Sequence, residues 1–196
     1  LLDRAILAHT DLDVERNCRK VDEIPFDFKR RRMSVVIDYE DRHVLICKAA
    51  VEEVASVCES YQVDEDINAL IKLIRDDLMD EYRHLSADGY RVLAIAYREF
   101  DRSKQTFAVA DESQMILLGY IAFFDPPKDT SAKAIEALCR SGVTVKILTG
   151  DNELVTQKVC HDVAMPITKI ITGPQLAALD DVGFAREVEE ANVLAR

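Results

Sequence analysis

The chain has 196 residues and a formal net charge of −11, because 36 acidic residues outnumber 25 basic ones. That balance argues against a nucleic-acid partner, since neutralising backbone phosphates requires a basic face. With 48% hydrophobic residues and 6 Gly and 5 Pro, the composition is typical of a globular fold rather than a disordered chain. No apolar run approaches the roughly 20 residues of a membrane-spanning helix. We therefore expect a soluble piece that does not contact a membrane.

The ends of the chain and its cysteines set two further expectations. The sequence starts with Leu1 rather than Met and stops at Arg196, so we expect a piece of a longer protein. Its five cysteines are widely spaced and include no Cys-x-x-Cys pair, which predicts free thiols in a reducing cytosol. The four histidines do not cluster at metal-ligand spacing. We predict no metal centre built from protein side chains alone.

The first half of the sequence predicts an antiparallel sheet with helices packed on it. β-branched-rich runs at 33–39 and 43–47 flank polar residues, a pattern typical of a hairpin. Apolar residues then recur at three- and four-residue steps over 66–85, which predicts an amphipathic helix that ends at Asp88-Gly89. The pattern further predicts a strand at 91–97, a loop over 98–113 and a strand at 115–123.

After Asp125 the pattern changes to helix, strand, helix, as expected of a parallel α/β sheet. A helix capped at Asp129 or Thr130 precedes a nearly all-apolar strand at 143–148, and another helix follows over 153–163. Small and polar residues fill the junction between strand and helix, the usual place for phosphate chemistry in this class. We predict two domains, at 1–124 and 125–196, of which the second is incomplete.

Three features of the first half have both a functional and a structural interpretation. The basic residues 29–32 follow Phe26 and Phe28, and fit either a stacking ring beside phosphate-pairing guanidiniums or a solvated, charge-protected strand edge. Lys48, at the end of an apolar strand, can reach a bound nucleotide or simply be solvated. Arg91 opens a buried strand and fits either a phosphate ligand or a surface ion pair.

The most specific pattern combines residues 125–128 with residues 149–152. Asp125 and Asp151, with the Thr149 hydroxyl, follow two strands and suit Mg²⁺ and a transferring phosphoryl group. The alternative is a proline-fixed interdomain turn together with an N-capping Asp.

Taken in order, these features resemble the cytoplasmic head of a P-type ion-pumping ATPase. The first half is similar to its nucleotide-binding domain and the second to the C-terminal part of its phosphorylation domain. The residues Pro25-Phe26-Asp27-Phe28, joined to Arg30-Arg31-Arg32-Met33-Ser34, are most similar to the bacterial magnesium-transporting branch. The resemblance implies the α/β class. A nucleotide-binding domain with a mostly antiparallel sheet would precede a partial Rossmann-like, haloacid-dehalogenase-type domain.

The resemblance also implies roles for individual residues in the first half. Phe26 would stack on adenine, with Lys48 deep in the same pocket. Ala49 stands where the family usually has Gly, and its methyl group would crowd the adenine. The remaining implied ligands are Arg91 and Arg31 on the phosphate tail and Asp3 near the adenine amine.

In the second half, the resemblance places Asp125 next to a Mg²⁺ site. Thr149 and Gly150 would contact the phosphoryl group, and Asp151 would orient the nucleotide. The implied cofactors are therefore ATP and Mg²⁺. Such roles fit phosphoryl transfer, which depends mostly on positioning and on stabilisation of charge.

The chain departs from the family in ways that limit its activity. It lacks the Asp-Lys-Thr-Gly-Thr motif of the phosphorylated aspartate and the Gly-Asp-Gly magnesium motif, and Phe28 stands where many branches have a basic residue. We expect this piece to bind ATP without turnover. The intact protein would couple ATP hydrolysis to cation transport, Mg²⁺ by the branch resemblance, at the cytoplasmic face of a bacterial inner membrane. Its partners would be its own actuator, phosphorylation and transmembrane domains.

Two other classes of function remain open from the residues. A non-catalytic adaptor could dock an acidic partner protein through Arg30, Arg31 and Arg32, with no nucleotide involved. A free-standing phosphatase of the haloacid-dehalogenase type shares the second half's pattern. It would need an Asp-x-Asp nucleophile on a strand, which is missing in that context.

Overall fold

The computed structural model describes residues 18–196, and these group into two compact units. The first unit comprises the described residues up to Arg75 together with Leu93–Ile121. The second comprises Asp76–Val92 and Ala122–Arg196. The domain boundary that the sequence places at residue 124 stays a prediction.

Seven strands form one mixed sheet in the order β1-β2-β3-β6-β7-β4-β5. The strands are β1 (Arg19–Asp27), β2 (Arg32–Tyr39), β3 (Arg42–Ala50), β4 (Cys58–Val63), β5 (Asp66–Ala69), β6 (Tyr90–Asp101) and β7 (Met115–Phe124). The pairs β1–β2, β2–β3, β3–β6 and β4–β5 are antiparallel, whereas β4–β7 is parallel. Two helices lie between these strands along the chain, α1 (Val51–Ala55) and α2 (Lys72–Ala87), and α2 belongs to the second unit from Asp76 onward. The predicted mostly antiparallel sheet with helices is confirmed.

The predicted hairpin is present as β2 and β3, with Tyr39 opposite Arg42. Glu40 takes the left-handed conformation (φ +51°) that such a two-residue turn requires. Leu45 and Cys47 on β3 and Val36 on β2 are fully buried and form part of the core of this unit.

The helix predicted over 66–85 is wrong at its start. Residues Asp66–Ala69 form strand β5, which pairs with β4 from Val63 opposite Asp66. Asp64, with φ +53°, lies in the tight turn of this second hairpin. The backbone groups of residues 66–69 therefore pair with β4, and α2 begins only at Lys72. Gly89 (φ +92°) follows the helix as predicted.

The loop predicted over 98–113 is also partly wrong, because β6 continues to Asp101. Its last residues pair with the start of β3, where Arg42 lies opposite Asp101. β3 is long enough to provide backbone hydrogen-bonding partners for residues 98–101, so this polar segment continues as strand. The loop therefore begins after Asp101.

The second unit contains a three-stranded parallel sheet in the order β8-β10-β9, with helices in the connections. Its elements are α3 (Ser131–Arg140), β8 (Ile147–Leu148), α4 (Glu153–Asp162), β9 (Ile170–Thr172), α5 (Gly173–Ala177), α6 (Asp181–Glu190) and β10 (Val193–Ala195). The predicted helix–strand–helix pattern is confirmed. The strand is shorter than the predicted 143–148, because its partner β10 begins opposite Ile147.

A small apolar core holds the second unit together. Cys160, Val163, Met165 and Val193 are buried in it, and Ile135 of α3 packs against them. Thr130 precedes α3 as predicted, although its side chain makes no capping hydrogen bond. The five cysteines are free thiols, as predicted. Among the helices of residues 18–196, none combines the length and apolarity needed to cross a bilayer.

Candidate functional site

The turn between β1 and β2, residues 27–32, is organised by the carboxylate of Asp27; we call it the arginine turn. One oxygen of this carboxylate accepts hydrogen bonds from the backbone N–H groups of Lys29 (2.8 Å) and Arg30 (2.9 Å). These bonds hold the pKa of Asp27 below its usual range, and the bond from Arg30 has the larger effect. Arg31 takes the left-handed conformation (φ +52°), and its N–H donates to the Asp27 carbonyl at 2.6 Å. The turn is thus fixed by its first residue.

Two of the turn's arginines bind a carboxylate that the sequence analysis missed. Glu112 is fully buried, and its Oε2 accepts from Arg30 Nη1 at 2.5 Å and from Arg32 Nε at 2.8 Å. Its Oε1 accepts from the Ser34 hydroxyl at 2.8 Å. The side chains of Arg30 and Arg32 are 15% and 14% exposed. A charge-protected solvated edge is therefore the wrong description of these two residues.

Nothing in the sequence marks Glu112 as a partner of the turn. It lies in a polar stretch predicted to be loop, about 80 residues away along the chain from the arginines. Ion pairs over such a separation depend on strand order, which charge spacing along the sequence does not reveal.

An exposed aromatic pair lies beside the arginine turn. Phe26 at the end of β1 is 51% exposed, and Phe28 in the turn is 87% exposed. Their rings meet edge to face, with centroids 5.3 Å apart and planes at 89°. Large aromatic faces left open to solvent in this way are suited to stacking on a flat ligand.

The predicted pocket residues Lys48 and Ala49 are consecutive on β3, so their side chains leave opposite faces of the sheet. Lys48 is half-buried and lies opposite Met33 and Ile95 in the neighbouring strands. Ala49 is buried on the other face. The Ala49 methyl group therefore points away from the Lys48 side of the strand.

Arg31 differs from the arginines on either side of it. Its side chain is 43% exposed, and its ion pair with Glu53 of α1 is long, at 3.8 Å. A guanidinium held this loosely is available to other anions. Asp3, the remaining predicted nucleotide ligand of the first half, lies outside the described residues.

In the second unit, four predicted site residues lie together; we call them the Arg91 cluster. Arg91 Nη1 contacts Asp125 Oδ2 at 2.9 Å, and Arg91 Nη2 contacts Asp151 Oδ2 at 3.0 Å. The Thr149 hydroxyl donates to the same Asp151 oxygen at 3.1 Å, and the Asp151 N–H donates back to the hydroxyl at 3.1 Å. A Cβ atom added at Gly150, between them, would meet no atom within 4 Å.

The Arg91 cluster is largely exposed. The exposed fractions of the side chains are 49% for Arg91, 61% for Asp125 and 25% for Asp151. Of the two sequence interpretations of Arg91, the structure displays the ion pair. Because that ion pair is solvated, a competing anion can replace it at little cost in free energy.

The loop of residues 149–152 is attached to α2 by Asn152. This residue, rather than Asp151, caps α4, since its Oδ1 accepts from the Val155 N–H at 2.9 Å. Its amide nitrogen donates to the buried hydroxyls of Tyr82 (2.8 Å) and Ser86 (3.0 Å). The preference of Asn for N-cap positions could have identified the cap from sequence. With Asn152 as the cap, the Asp151 carboxylate faces Arg91.

The oxygen donors of the Arg91 cluster fit Mg²⁺ in part. Mg²⁺ in phosphoryl-transfer sites commonly takes one or two carboxylates and completes its shell with substrate phosphates and water. Asp125 and Asp151 offer such carboxylates, although both contact Arg91. Within residues 18–196, no group of three acidic, histidine or cysteine side chains is arranged to hold a metal ion. Phosphate oxygens would have to supply the other ligands.

Comparison with known families identifies the family of the chain. The family described as "P-type ATPase, cytoplasmic domain N" matches residues 6–130. The chain therefore belongs to the P-type ATPase family, as the resemblance of its motifs predicts.

The relatives of the chain include bacterial magnesium-transporting ATPases. The chain is 41% identical, over its whole length, to "Magnesium-transporting ATPase, P-type 1" of Escherichia coli (strain K12) and of Salmonella typhimurium (strain LT2). It is 24% identical, over 98% of its length, to "Calcium-transporting ATPase 1" of Lactococcus lactis. The chain spans 22% of the length of the two magnesium relatives and 23% of the calcium relative.

Proposed function

We propose that this chain is the ATP-binding part of a P-type cation-transporting ATPase. The observation that carries the proposal is the half-exposed Phe26 ring beside a turn fixed by Asp27 and Glu112, in a chain of the domain N family. The names of the relatives support Mg²⁺ as the transported cation in this proposal. The whole protein's activity lies partly in segments that this chain does not contain, since it spans 22% of those relatives.

In the first unit, Phe26 stacks on the adenine and Lys48 binds the same nucleotide. Arg31 extends to the phosphates, because it is the exposed arginine of the turn while Arg30 and Arg32 bind Glu112. Ala49 meets the ligand through its backbone, since its methyl group lies on the opposite face of β3 from Lys48. Asp3 belongs to the proposal as the residue near the adenine amine.

In the second unit, the Arg91 cluster serves phosphoryl transfer. Arg91 exchanges its carboxylate partners for phosphate, Thr149 and Gly150 contact the phosphoryl group, and Asp151 orients the nucleotide. Asp125 lies where a Mg²⁺ that enters with the phosphates would find an oxygen ligand. That ion would neutralise charge on the transferring group.

In the intact protein, the γ-phosphoryl group passes to an aspartate outside this chain. Hydrolysis of the resulting aspartyl phosphate then drives a cation across the membrane. The chain works at the cytoplasmic face of the bacterial inner membrane, together with the actuator, phosphorylation and transmembrane parts of the same protein. By itself it binds ATP without turnover.

The adaptor alternative has less support. Docking an acidic partner requires free cations, and the guanidinium groups of Arg30 and Arg32 are both already paired with one buried carboxylate. Arg31 alone offers too little charge for such an interface.

The test is a titration of the chain with ATP, followed by backbone amide chemical shifts. We expect saturable binding in the millimolar range, with shifts centred on Phe26 and Lys48. Phe26→Ala should weaken binding about fivefold or more, since stacking on one base contributes roughly 1–3 kcal/mol. Tyr39→Ala is the matched control, because Tyr39 is an equally exposed aromatic residue at the far end of β2. Absence of shifts at millimolar ATP would contradict the proposal.

A further inference from the structure

Arg30 joins two parts of the first unit that are otherwise far apart in the sequence. Its Nη1 contacts the buried carboxylate of Glu112 at 2.5 Å, and its Nη2 donates to the backbone carbonyl of Pro25 at 2.8 Å. Pro25 directly precedes Phe26. One planar guanidinium group therefore connects a fully buried carboxylate to the peptide unit that carries the exposed ring.

The backbone around Phe26 needs such a connection, because the strand pairing is interrupted there. Ile24 lies opposite Ser34 and Asp27 opposite Arg32, so Pro25 and Phe26 share a single opposing residue. This is a β-bulge, a feature that redirects side chains and leaves backbone groups outside the regular ladder. The bond from Arg30 gives the Pro25 carbonyl a side-chain donor at the point where the register shifts.

Arg32 offers a natural comparison with Arg30. It binds the same Glu112 oxygen, at 2.8 Å, and is equally buried, at 14% against 15% exposed. The bond to the Pro25 carbonyl, however, belongs to Arg30. The two arginines thus share their role in neutralising Glu112 and differ in their link to the bulge.

We propose that Arg30 is a positioning residue for nucleotide binding: it holds the bulge so that the Phe26 ring is presented for stacking on the base. The inference rests on the proposed function, because it concerns how the Phe26 site is built. Arg30 acts through Phe26 and not by contact with the phosphates.

The test compares Arg30→Lys with Arg32→Lys in titrations with ATP and with adenosine, followed by amide shifts. Both variants keep a positive charge near Glu112, but a lysine at position 30 cannot bind the carboxylate and the Pro25 carbonyl in the same planar geometry. We expect Arg30→Lys to weaken ATP and adenosine binding by a similar factor, about fivefold for one hydrogen bond. Arg32→Lys should change either affinity less than twofold.

A second arm asks whether the effect passes through the ring. In a Phe26→Ala background, Arg30→Lys should weaken adenosine binding no further, because residues that act as a unit are not additive. Thermal melts establish that each variant is folded at the titration temperature. If Arg30→Lys is not folded there, Arg30→Gln, whose amide can still donate to Glu112, takes its place.

Each result bears on a different statement. A wild-type chain that binds neither ATP nor adenosine overturns the proposed function and this inference together. Wild-type binding that Arg30→Lys leaves unchanged overturns the inference alone. A loss for ATP but not for adenosine makes Arg30 a phosphate ligand instead. Equal losses for Arg30→Lys and Arg32→Lys reduce the effect to general destabilisation. The loss for ATP alone and the equal losses for the two variants each contradict the inference.

Discussion

Arginines bind carboxylates in both units of the molecule, but in opposite environments. In the arginine turn the acceptor, Glu112, is fully buried and its two arginine side chains are about one-seventh exposed. In the Arg91 cluster the arginine side chain is 49% exposed and that of Asp125 is 61% exposed. Breaking a buried ion pair leaves an uncompensated charge in a poorly solvated site, whereas breaking an exposed ion pair returns both ions to water. The first arrangement is therefore structural, and the second is exchangeable.

The comparison also bears on which cations are open to the nucleotide of the proposed function. A phosphate that binds Arg91 replaces solvated contacts with Asp125 and Asp151, and the displaced carboxylates remain hydrated. A phosphate that binds Arg30 or Arg32 would take one of the two arginine partners from the buried carboxylate of Glu112. Residues of the same type in one chain thus serve different purposes, and burial of the partner decides which.

The largest effect that tests this contrast is expected for Glu112→Gln. The substitution leaves Arg30 and Arg32 without a counter-ion, and we expect a loss of about 3 kcal/mol in the unfolding free energy of the first unit. Urea unfolding followed by amide signals of β2 and β3 measures it. Glu99→Gln, which breaks the exposed pair with Arg42, is the control and should cost less than about 1 kcal/mol. Equal losses for the two variants would remove the distinction.

A second prediction concerns the attachment of the 149–152 loop in the second unit. Asn152→Ala removes the α4 cap and the donors to the Tyr82 and Ser86 hydroxyls, and should destabilise that unit by about 2 kcal/mol. Asn152→Asp retains the cap but cannot donate, so its loss should be about half as large. Urea unfolding monitored on α4 amides distinguishes them. If Asn152→Ala leaves the unfolding free energy of the second unit unchanged, the loop is held by other contacts.

The exposed cluster should respond much more weakly to substitution. Arg91→Ala is expected to change the unfolding free energy of the second unit by less than about 1 kcal/mol, because its ion pairs are solvated. Raising the salt concentration should weaken the ion pairs of Arg91 but leave the ion pairs of the buried Glu112 nearly unchanged. If Arg91→Ala costs as much as Glu112→Gln, exposure is not what separates the two sites.

The smallest effect on folding stability at neutral pH is expected from a buried thiol. Burial raises the pKa of Cys58 from 9.0 to about 12. The folded state therefore keeps this proton when the unfolded state loses it. The corresponding stability is fully present below pH 9 and is lost as the pH rises from 9 to 12. Alkylation at pH 8 should modify the exposed Cys139 first and Cys58 far more slowly. Equal rates would show that the first unit opens readily.

Local patterns in the sequence predicted much of the fold. The β2–β3 hairpin, the helix stop at Gly89 and the helix–strand–helix order of the second unit each depend on neighbouring residues, and each is confirmed. Where the sequence analysis was wrong, distant pairing had decided the structure. Residues 66–69 are apolar in part and fit a helical period, but β4 pairs with them as a strand.

The candidate site divides in the same way. The sequence by itself, through its motifs, determined the family and named Phe26, Arg91, Asp125 and Asp151, because those motifs are short and contiguous. Tertiary structure alone decided that Arg91 lies between the two aspartates, and that a glutamate 82 residues from Arg30 neutralises it. The physical reason is that the worth of a charge depends on its burial and on its partner, and both are set by which strands lie side by side.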